Sequence, residues 1–157
     1  MKNKKILIAL SLLGLVSACG GPTESSAVPE AQPAGATSTD IGDHVVHYSA
    51  QLTDQLPRKS ALAYDIVRSK KIAMLSVSVL DKTTKTAAAA TVTVKIVNLT
   101  GQLKSVTMRE IKEQDAIYYI GELPVANRET LIFDISVMPD GSDESSDVRF
   151  KRQFFTD

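Results

Sequence analysis

The chain has 157 residues, 18 of them basic and 18 acidic, so its formal net charge is zero. Near-neutral charge predicts neither a nucleic-acid-binding surface nor the polybasic segment of a protein that binds membranes electrostatically. A single cysteine excludes a disulfide framework within the chain.

The first eighteen residues have the three parts of a secretory signal. Residues 1–5 carry three lysines, residues 6–16 carry no charge, and small residues precede Cys19. An uncharged helix of this length rises about 16 Å, roughly half of the ~30 Å hydrocarbon core of a bilayer. We therefore predict that residues 1–18 form a cleaved signal peptide and not a permanent membrane span.

The segment Val16-Ser17-Ala18-Cys19 resembles the lipobox of bacterial lipoproteins. The resemblance implies that Cys19 receives palmitate-type acyl chains, becomes the new N-terminus and is acylated again, and several chains hold a protein to a bilayer far more firmly than one. Gly20 stands where inner-membrane lipoproteins of enteric-type bacteria usually have aspartate, which favours the outer membrane, facing the periplasm. The alternative is an ordinary cleaved signal that leaves Cys19 as a free thiol.

Residues 19–40 have the composition of a flexible stalk. Residues 20–40 contain three prolines and three glycines, and Val28 is the one large apolar side chain among them. Such a segment buries too little apolar surface to offset its ordering entropy. Without the three lysines of the signal, the mature chain has 15 basic and 18 acidic side chains, a formal charge of −3.

Residues 41–157 have the length of a single domain and the pattern of an all-β protein. Apolar side chains recur with a period of two, which is the spacing of half-buried strands. About seven strands with turns between them predict an antiparallel β-sandwich of immunoglobulin-like type, with a small barrel as the alternative. The predicted strands are 44–53, 72–79, 91–97, 103–111, 115–123, 130–137 and 148–155.

One short helix is predicted at 57–64. Pro57 suits a first helical position, and the residues that follow it favour helix. The four alanines at 87–90 also favour helix, but they lie between a threonine-rich turn and a strictly alternating strand. We predict that they are a loop that passes into that strand.

Three of the longer stretches in this region resemble a proteobacterial family of domains of unknown function. The family consists of small secreted or periplasm-facing proteins with an "aY-x-I-x-RSK" segment and a closing aromatic strand. The resemblance covers 41–157 in order and implies an envelope location, but the family has no assigned activity. A lipobox and stalk before the domain depart from the usual pattern. The stretches are AYDIVRSKKIAMLSVSVL (63–80), REIKEQDAIYYIGELP (109–124) and FKRQFFTD (150–157).

Two features resemble metal sites. His44 and His47 lie three apart in a predicted strand, so their rings point to opposite faces and cannot bind one ion. If Val46 and Tyr48 face the core, His47 points to solvent. The acidic run at 140–147 lacks the EF-hand spacing and predicts a solvated hairpin loop. No metal site is predicted, although periplasmic copper carriers with sandwich folds use histidine and methionine.

The densest basic cluster, residues 68–71, is the strongest candidate for ligand binding. Arg68 and Lys70 could hold a phosphate, a lipid head group or an acidic peptide, with Arg68 as a bidentate donor. The structural alternative is that Arg68 pairs with a buried carboxylate or caps the preceding turn. Tyr64 could form an aromatic binding surface with Tyr118 and Tyr119, which point to opposite sides of their predicted strand.

The sequence has no nucleophile elbow and no glycine-rich phosphate loop. We therefore expect a protein that is not an enzyme and needs no cofactor. The expected function is a lipid-anchored binding module that engages an envelope protein or glycan through an edge strand or loops, and binds no nucleic acid. The alternative is a periplasmic copper or zinc module that uses His47.

Overall fold

The computed structural model describes residues 37–157, and in this part of the chain nine strands form two antiparallel sheets. A 3-10 turn (Thr53–Gln55) and helix α1 (Arg58–Ala63) follow the second strand. The strands in chain order are β1 (Ser38–Ile41), β2 (His44–Leu52), β3 (Ile72–Asp81), β4 (Ala90–Asn98), β5 (Leu103–Lys104), β6 (Arg109–Glu113), β7 (Ala116–Pro124), β8 (Thr130–Pro139) and β9 (Ser146–Gln153).

The strand order identifies the type of sandwich. The five-stranded sheet has the order β1-β2-β3-β7-β6, and the four-stranded sheet has the order β5-β4-β8-β9. Apart from the added edge strand β1, the first is the A-B-E-D sheet of an immunoglobulin-like domain, and the second is its C-F-G sheet with one more strand next to C. The prediction of an all-β, immunoglobulin-like sandwich is confirmed.

The core lies between the inner faces of the two sheets. Leu75 from β3 and Phe133 from β8 are fully buried there. Phe150 of β9 stacks on Phe133, with ring centroids 4.7 Å apart, and also meets Tyr48 of β2 at 4.9 Å. Because one aromatic ring contacts residues of both sheets, it contributes to holding them together.

Residues 53–71, called the strap below, pack on the outer face of the five-stranded sheet. Ala61 and Ile66 of the strap are buried in a second apolar cluster with Met74 of β3 and Ile120 of β7. This cluster explains why the outward positions of β3 and β7 are apolar near the strap, where an alternating strand would expose polar side chains.

Most of the predicted elements are present, with their ends shifted by one or two residues. Helix 57–64 corresponds to α1, with Pro57 just before its first residue. Ala87 forms an isolated bridge with Leu80, and β4 begins at Ala90, so the alanine run is a loop entering a strand as predicted.

Two predictions need correction. The strand predicted at 103–111 is two strands in different sheets, β5 and β6, because the chain crosses from one sheet to the other between them. The folded part also begins earlier than residue 41, since Ser38–Ile41 pair with His44–His47 as β1. The last residues of the predicted stalk, 38–40, therefore belong to the domain.

The signal peptide, Cys19 and the rest of the predicted stalk lie outside the described residues. Within residues 37–157, no helix has the length and apolar character that crossing a bilayer would require.

Candidate functional site

The loops at one end of the sandwich line two concave surfaces. This loop end consists of the β1–β2 turn, the β3–β4 loop, the β6–β7 turn and the β8–β9 loop. The β3–β4 and β8–β9 loops are joined here, because the main-chain N–H of Asp140 donates to the carbonyl of Ala89 at 2.9 Å. The β3–β4 and β8–β9 loops are the B–C and F–G loops of an immunoglobulin-like domain, which carry antigen recognition in antibody variable domains.

A first cleft lies between the β1–β2 turn and the β8–β9 loop. It has a volume of about 420 Å³, and its lining includes Asp43, His44, Asp140 and Glu144. Three carboxylates around one concave surface favour a cationic group over an anionic one.

A second cleft lies between the β3–β4 loop and the β6–β7 turn. It has a volume of about 390 Å³, and Lys85, Glu113 and Asp115 line it together with Tyr118. Both signs of charge are present, so this cleft suits a polar, uncharged or zwitterionic group better than a simple ion.

The loop between β3 and β4 has a defined conformation. The Asp81 carboxylate accepts hydrogen bonds from the main-chain N–H groups of Thr83 and Thr84, at 2.8 and 2.7 Å. The bond from Thr84, which contributes most, holds the pKa of the Asp81 carboxyl below its usual value. Lys82 pairs with Asp40 of β1 at 3.0 Å and so ties this loop to the neighbouring turn. The lining of the loop end is thus partly preorganised.

Tyr64, a predicted binding residue, has a structural partner. Its hydroxyl donates a hydrogen bond to the carboxylate of Glu113 on β6. Arg109 of the same strand donates to the Tyr64 carbonyl at 2.6 Å and pairs with Glu122 at 3.4 Å. The hydrogen bond to Glu113 raises the pKa of Tyr64 to about 12, because it favours the protonated phenol. These contacts fasten the end of α1 to the edge of the sheet.

The tyrosines do not form one aromatic surface. Tyr119 is buried, and its hydroxyl accepts a hydrogen bond from the Ala90 main chain at 2.8 Å. Tyr118 lies on the outer face with the strap cluster. The predicted opposite orientation of the two side chains is therefore confirmed, with Tyr119 in the core.

Arg68 and Lys70 lie at the end of the strap, away from the loop end. The guanidinium of Arg68 donates to the carbonyl of Asp54, which closes the strap on itself. Lys70 donates through Nζ to the main-chain oxygen of Asp157 at 2.9 Å. Both side chains are exposed, so these contacts leave donors facing solvent. The structure does not bring Arg68 and Lys70 together with His47.

His47 is exposed on β2 between Ser38 of β1 and Ser78 of β3, and the neighbouring Val46 and Tyr48 are buried as predicted. Among residues 37–157, no group of three or more histidine, cysteine, aspartate or glutamate side chains is arranged to hold a metal ion. The metal-handling hypothesis gains no support from this part of the chain.

Comparison with protein families identifies the domain. Residues 38–157 match the family described as a domain of unknown function, DUF4426. The chain belongs to the DUF4426 family. This confirms the resemblance seen in the sequence and agrees with β1 as the first strand of the domain. No curated protein has significant sequence similarity to the chain.

Two solved structures have a fold similar to that of this chain. The crystal structure of a DUF4426 protein from Pseudomonas aeruginosa PAO1 is 31% identical, with a TM-score of 0.66, and the match covers 76% of this chain and 94% of that one. FetP of uropathogenic E. coli strain F11, crystallised after expression in the periplasm, is 10% identical, with a TM-score of 0.53. That match covers 75% of this chain and 92% of FetP, and it shows a shared fold alone.

The clefts of the loop end have no signature in the sequence. Asp43, Lys85 and Asp115 are polar residues in turns, which sequence patterns interpret as solvated. The turn signals were present, but only the pairing of the strands shows which turns lie at the same end.

Proposed function

We propose that this DUF4426 protein is a bacterial lipoprotein, anchored through Cys19, whose domain is a non-catalytic binding module facing the periplasm. The loop end is the binding surface of the module. The partner is an envelope protein or glycan that reaches the two clefts.

The direction of β1 is the observation that carries this proposal. Ser38 pairs with His47 near the middle of β2, and Ile41 pairs with His44 at the loop end. The strand therefore runs toward the loop end, and its N-terminal end points to the opposite end of the sandwich. A domain held through the segment before Ser38 would present the clefts of the loop end away from its attachment point.

Two further points support the location. The lipobox-like segment ends on the single cysteine of the chain, which follows an apolar signal. FetP, which shares the fold, was expressed in the periplasm, so this type of sandwich is compatible with that compartment.

Radiolabelled palmitate and cell fractionation test the anchor. We expect the full chain to incorporate palmitate and to sediment with membranes, and Cys19→Ser to lose both properties. The matched control is the double variant Cys19→Ser/Ser25→Cys, which keeps one thiol but moves it out of the lipobox, and it should also carry no label. An unmodified Cys19 in the natively expressed protein would overturn the anchor.

A photocrosslinking amino acid tests the binding surface. Placed at Ser145 in the β8–β9 loop, it should give one dominant crosslinked product in living cells. Thr93, exposed on the outer face of β4, is the control position. Equal products from both positions, or none from Ser145, would contradict binding at the loop end.

A further inference from the structure

We propose that the end of the sandwich opposite the loop end is a docking surface for an anionic phospholipid bilayer. This end is called the basic end below. It comprises six exposed cations, Arg68, Lys70, Lys71, Arg128, Lys151 and Arg152, and four exposed apolar residues, Val67, Leu99, Leu103 and Phe155.

The six cations come from three separate segments that the fold brings to one end. Lys71 is tied to the β7–β8 connection, since its carbonyl accepts the N–H of Val125 at 2.9 Å. Arg128 lies in that connection, and its carbonyl accepts a hydrogen bond from Gln153 at the end of β9 at 3.2 Å. Lys151 and Arg152 directly precede Gln153. The near-zero net charge of the sequence hides this concentration of positive charge.

Among the described residues, none of these six cations forms an ion pair with a side-chain carboxylate, although Lys70 donates to the main-chain oxygen of Asp157. Five cations among the described residues form ion pairs with side-chain carboxylates, and all five lie outside the group of six. Glu129, an acid at this end, is paired with Lys104 at 2.9 Å. The positive potential of the basic end is therefore available to an external anion.

The apolar side chains favour a bilayer over a purely acidic partner. Among the six large apolar residues exposed in the described chain, four are at the basic end, with 58–70% of their surface exposed. Across the four strands of one sheet, the successive neighbours are Leu103, Val97, Ile132 and Lys151, so a row of three apolar residues ends on a cation. Cations with interspersed leucine and phenylalanine are typical of surfaces that sit at the boundary of head groups and acyl chains.

The opposite end has the opposite charge. Asp43, Asp81, Asp140, Asp143 and Glu144 all lie at the loop end. The charge separation along the sandwich turns the basic end toward an anionic bilayer and the loop end away from it. The N-terminal end of β1 points the same way as the basic end, so this inference fits the proposed function and rests on it for its biological setting.

Sedimentation with vesicles tests the docking surface apart from the anchor. The protein used is the unlipidated chain from Gly20 onward. The Pseudomonas aeruginosa relative, 94% of whose crystallised chain aligns with this one, shows that the domain folds without further segments. We expect binding to phosphatidylcholine vesicles that contain phosphatidylglycerol, weaker binding at ~1 M than at ~0.1 M salt, and little binding to phosphatidylcholine alone.

Two double variants with the same change of charge locate the surface. Lys71→Gln/Lys151→Gln removes two cations of the basic end, and Lys85→Gln/Lys112→Gln removes two exposed cations at or near the loop end. At about fivefold for each cation near an anionic surface, the first should bind about 25-fold more weakly. The second should stay within about threefold of the natural chain, because its cations lie beyond about a Debye length of the docked surface.

Three outcomes would overturn the proposal. They are equal loss in both double variants, equal binding to vesicles with and without phosphatidylglycerol, and absence of vesicle binding with retained binding to an acidic peptide. The palmitate experiment measures only the acylation of Cys19, and the vesicle experiment uses a chain without Cys19. Failure of the anchor and failure of the docking surface are therefore distinguished.

Discussion

Thr53 and Ser69 are joined by a hydrogen bond that closes the strap. The Thr53 hydroxyl, fully buried, accepts the main-chain N–H of Ser69 at 2.9 Å and donates to the carbonyl of Val67 at 2.8 Å. One side chain therefore joins the two ends of the strap, a segment of 53–71 that contains the family's RSK sequence. The Thr53 side chain therefore helps to fix the backbone of the RSK sequence.

Replacing Thr53 with valine should destabilise the domain. Valine keeps the shape of threonine but leaves the partly buried N–H of Ser69 and carbonyl of Val67 without their partner, at a cost of about 2 kcal/mol. Thr53→Ser is the matched control, since it keeps the hydroxyl and loses one methyl group, at about 1 kcal/mol. Urea unfolding of both variants measures the difference. A serine variant less stable than the valine variant would contradict this role of the hydroxyl.

The variant Tyr64→Phe should have an unfolding free energy about 1 kcal/mol lower than that of the natural chain at neutral pH. The reason is that the hydrogen bond to Glu113 is lost. Tyr118→Phe is the control. The Tyr118 side chain packs on the same outer face, and its hydroxyl makes no hydrogen bond to any other described residue. It should change stability by less than about 0.5 kcal/mol.

The pH dependence of this hydrogen bond has a definite sign. The pKa of Tyr64 is raised in the folded state from 10.0 to about 12. The raised pKa adds stability that is fully present below pH 10 and is lost as the pH rises through about 12. The stability difference between the natural chain and Tyr64→Phe should therefore shrink over this interval. A difference that is constant up to pH 12 would be contrary to this prediction.

Gly121 of β7 has no room for a side chain. A Cβ atom there would lie 2.5 Å from Val106 Cγ2 and 2.6 Å from Met108 Sδ, in the connection between β5 and β6. Gly121→Ala should therefore destabilise the domain by about 1–3 kcal/mol. Val106→Ala should partly relieve the clash, so the double variant should lose less stability than the sum of the two single variants. Strict additivity in urea unfolding would refute the packing argument.

Two phenylalanines five residues apart should behave differently. Phe150 stacks between the sheets, whereas Phe155 is 58% exposed. Phe150→Ala should lower the unfolding free energy by about 3 kcal/mol, and Phe155→Ala by less than about 0.5 kcal/mol. Thermal unfolding of both variants compares them directly. The two variants should differ in the opposite order for vesicle binding, where Phe155 belongs to the docking surface.

Local pattern was sufficient to predict most of the sandwich. In β3, β4 and β8 successive side chains face the core and the outside in turn, so apolar residues recur with a period of two along each strand. The pattern misled at 103–111, where apolar residues continue to alternate while the chain changes sheets. It missed β1, whose sequence Ser-Thr-Asp-Ile is polar because the strand lies at an edge.

The charged surfaces could not be predicted in the same way. Lys71, Arg128 and Lys151 are far apart in the sequence, and only strand register and the turns place them at one end. The partner of Arg68 is a main-chain carbonyl of Asp54, fourteen residues away, and a carbonyl has no sequence signature. Net charge averages over the chain, so it is insensitive to a charge separation between the two ends.

Orientation at the membrane is the most direct test of the whole account. With Cys19 acylated, a cysteine introduced at Ala126 of the basic end or at Ser145 of the loop end would be the one free thiol for a fluorescent dye. In the lipoprotein reconstituted into phosphatidylglycerol-containing vesicles, lipids with a head-group quencher should quench the dye at 126 strongly and the dye at 145 weakly. Equal quenching at the two positions, or stronger quenching at 145, would contradict a domain that faces the bilayer with its basic end.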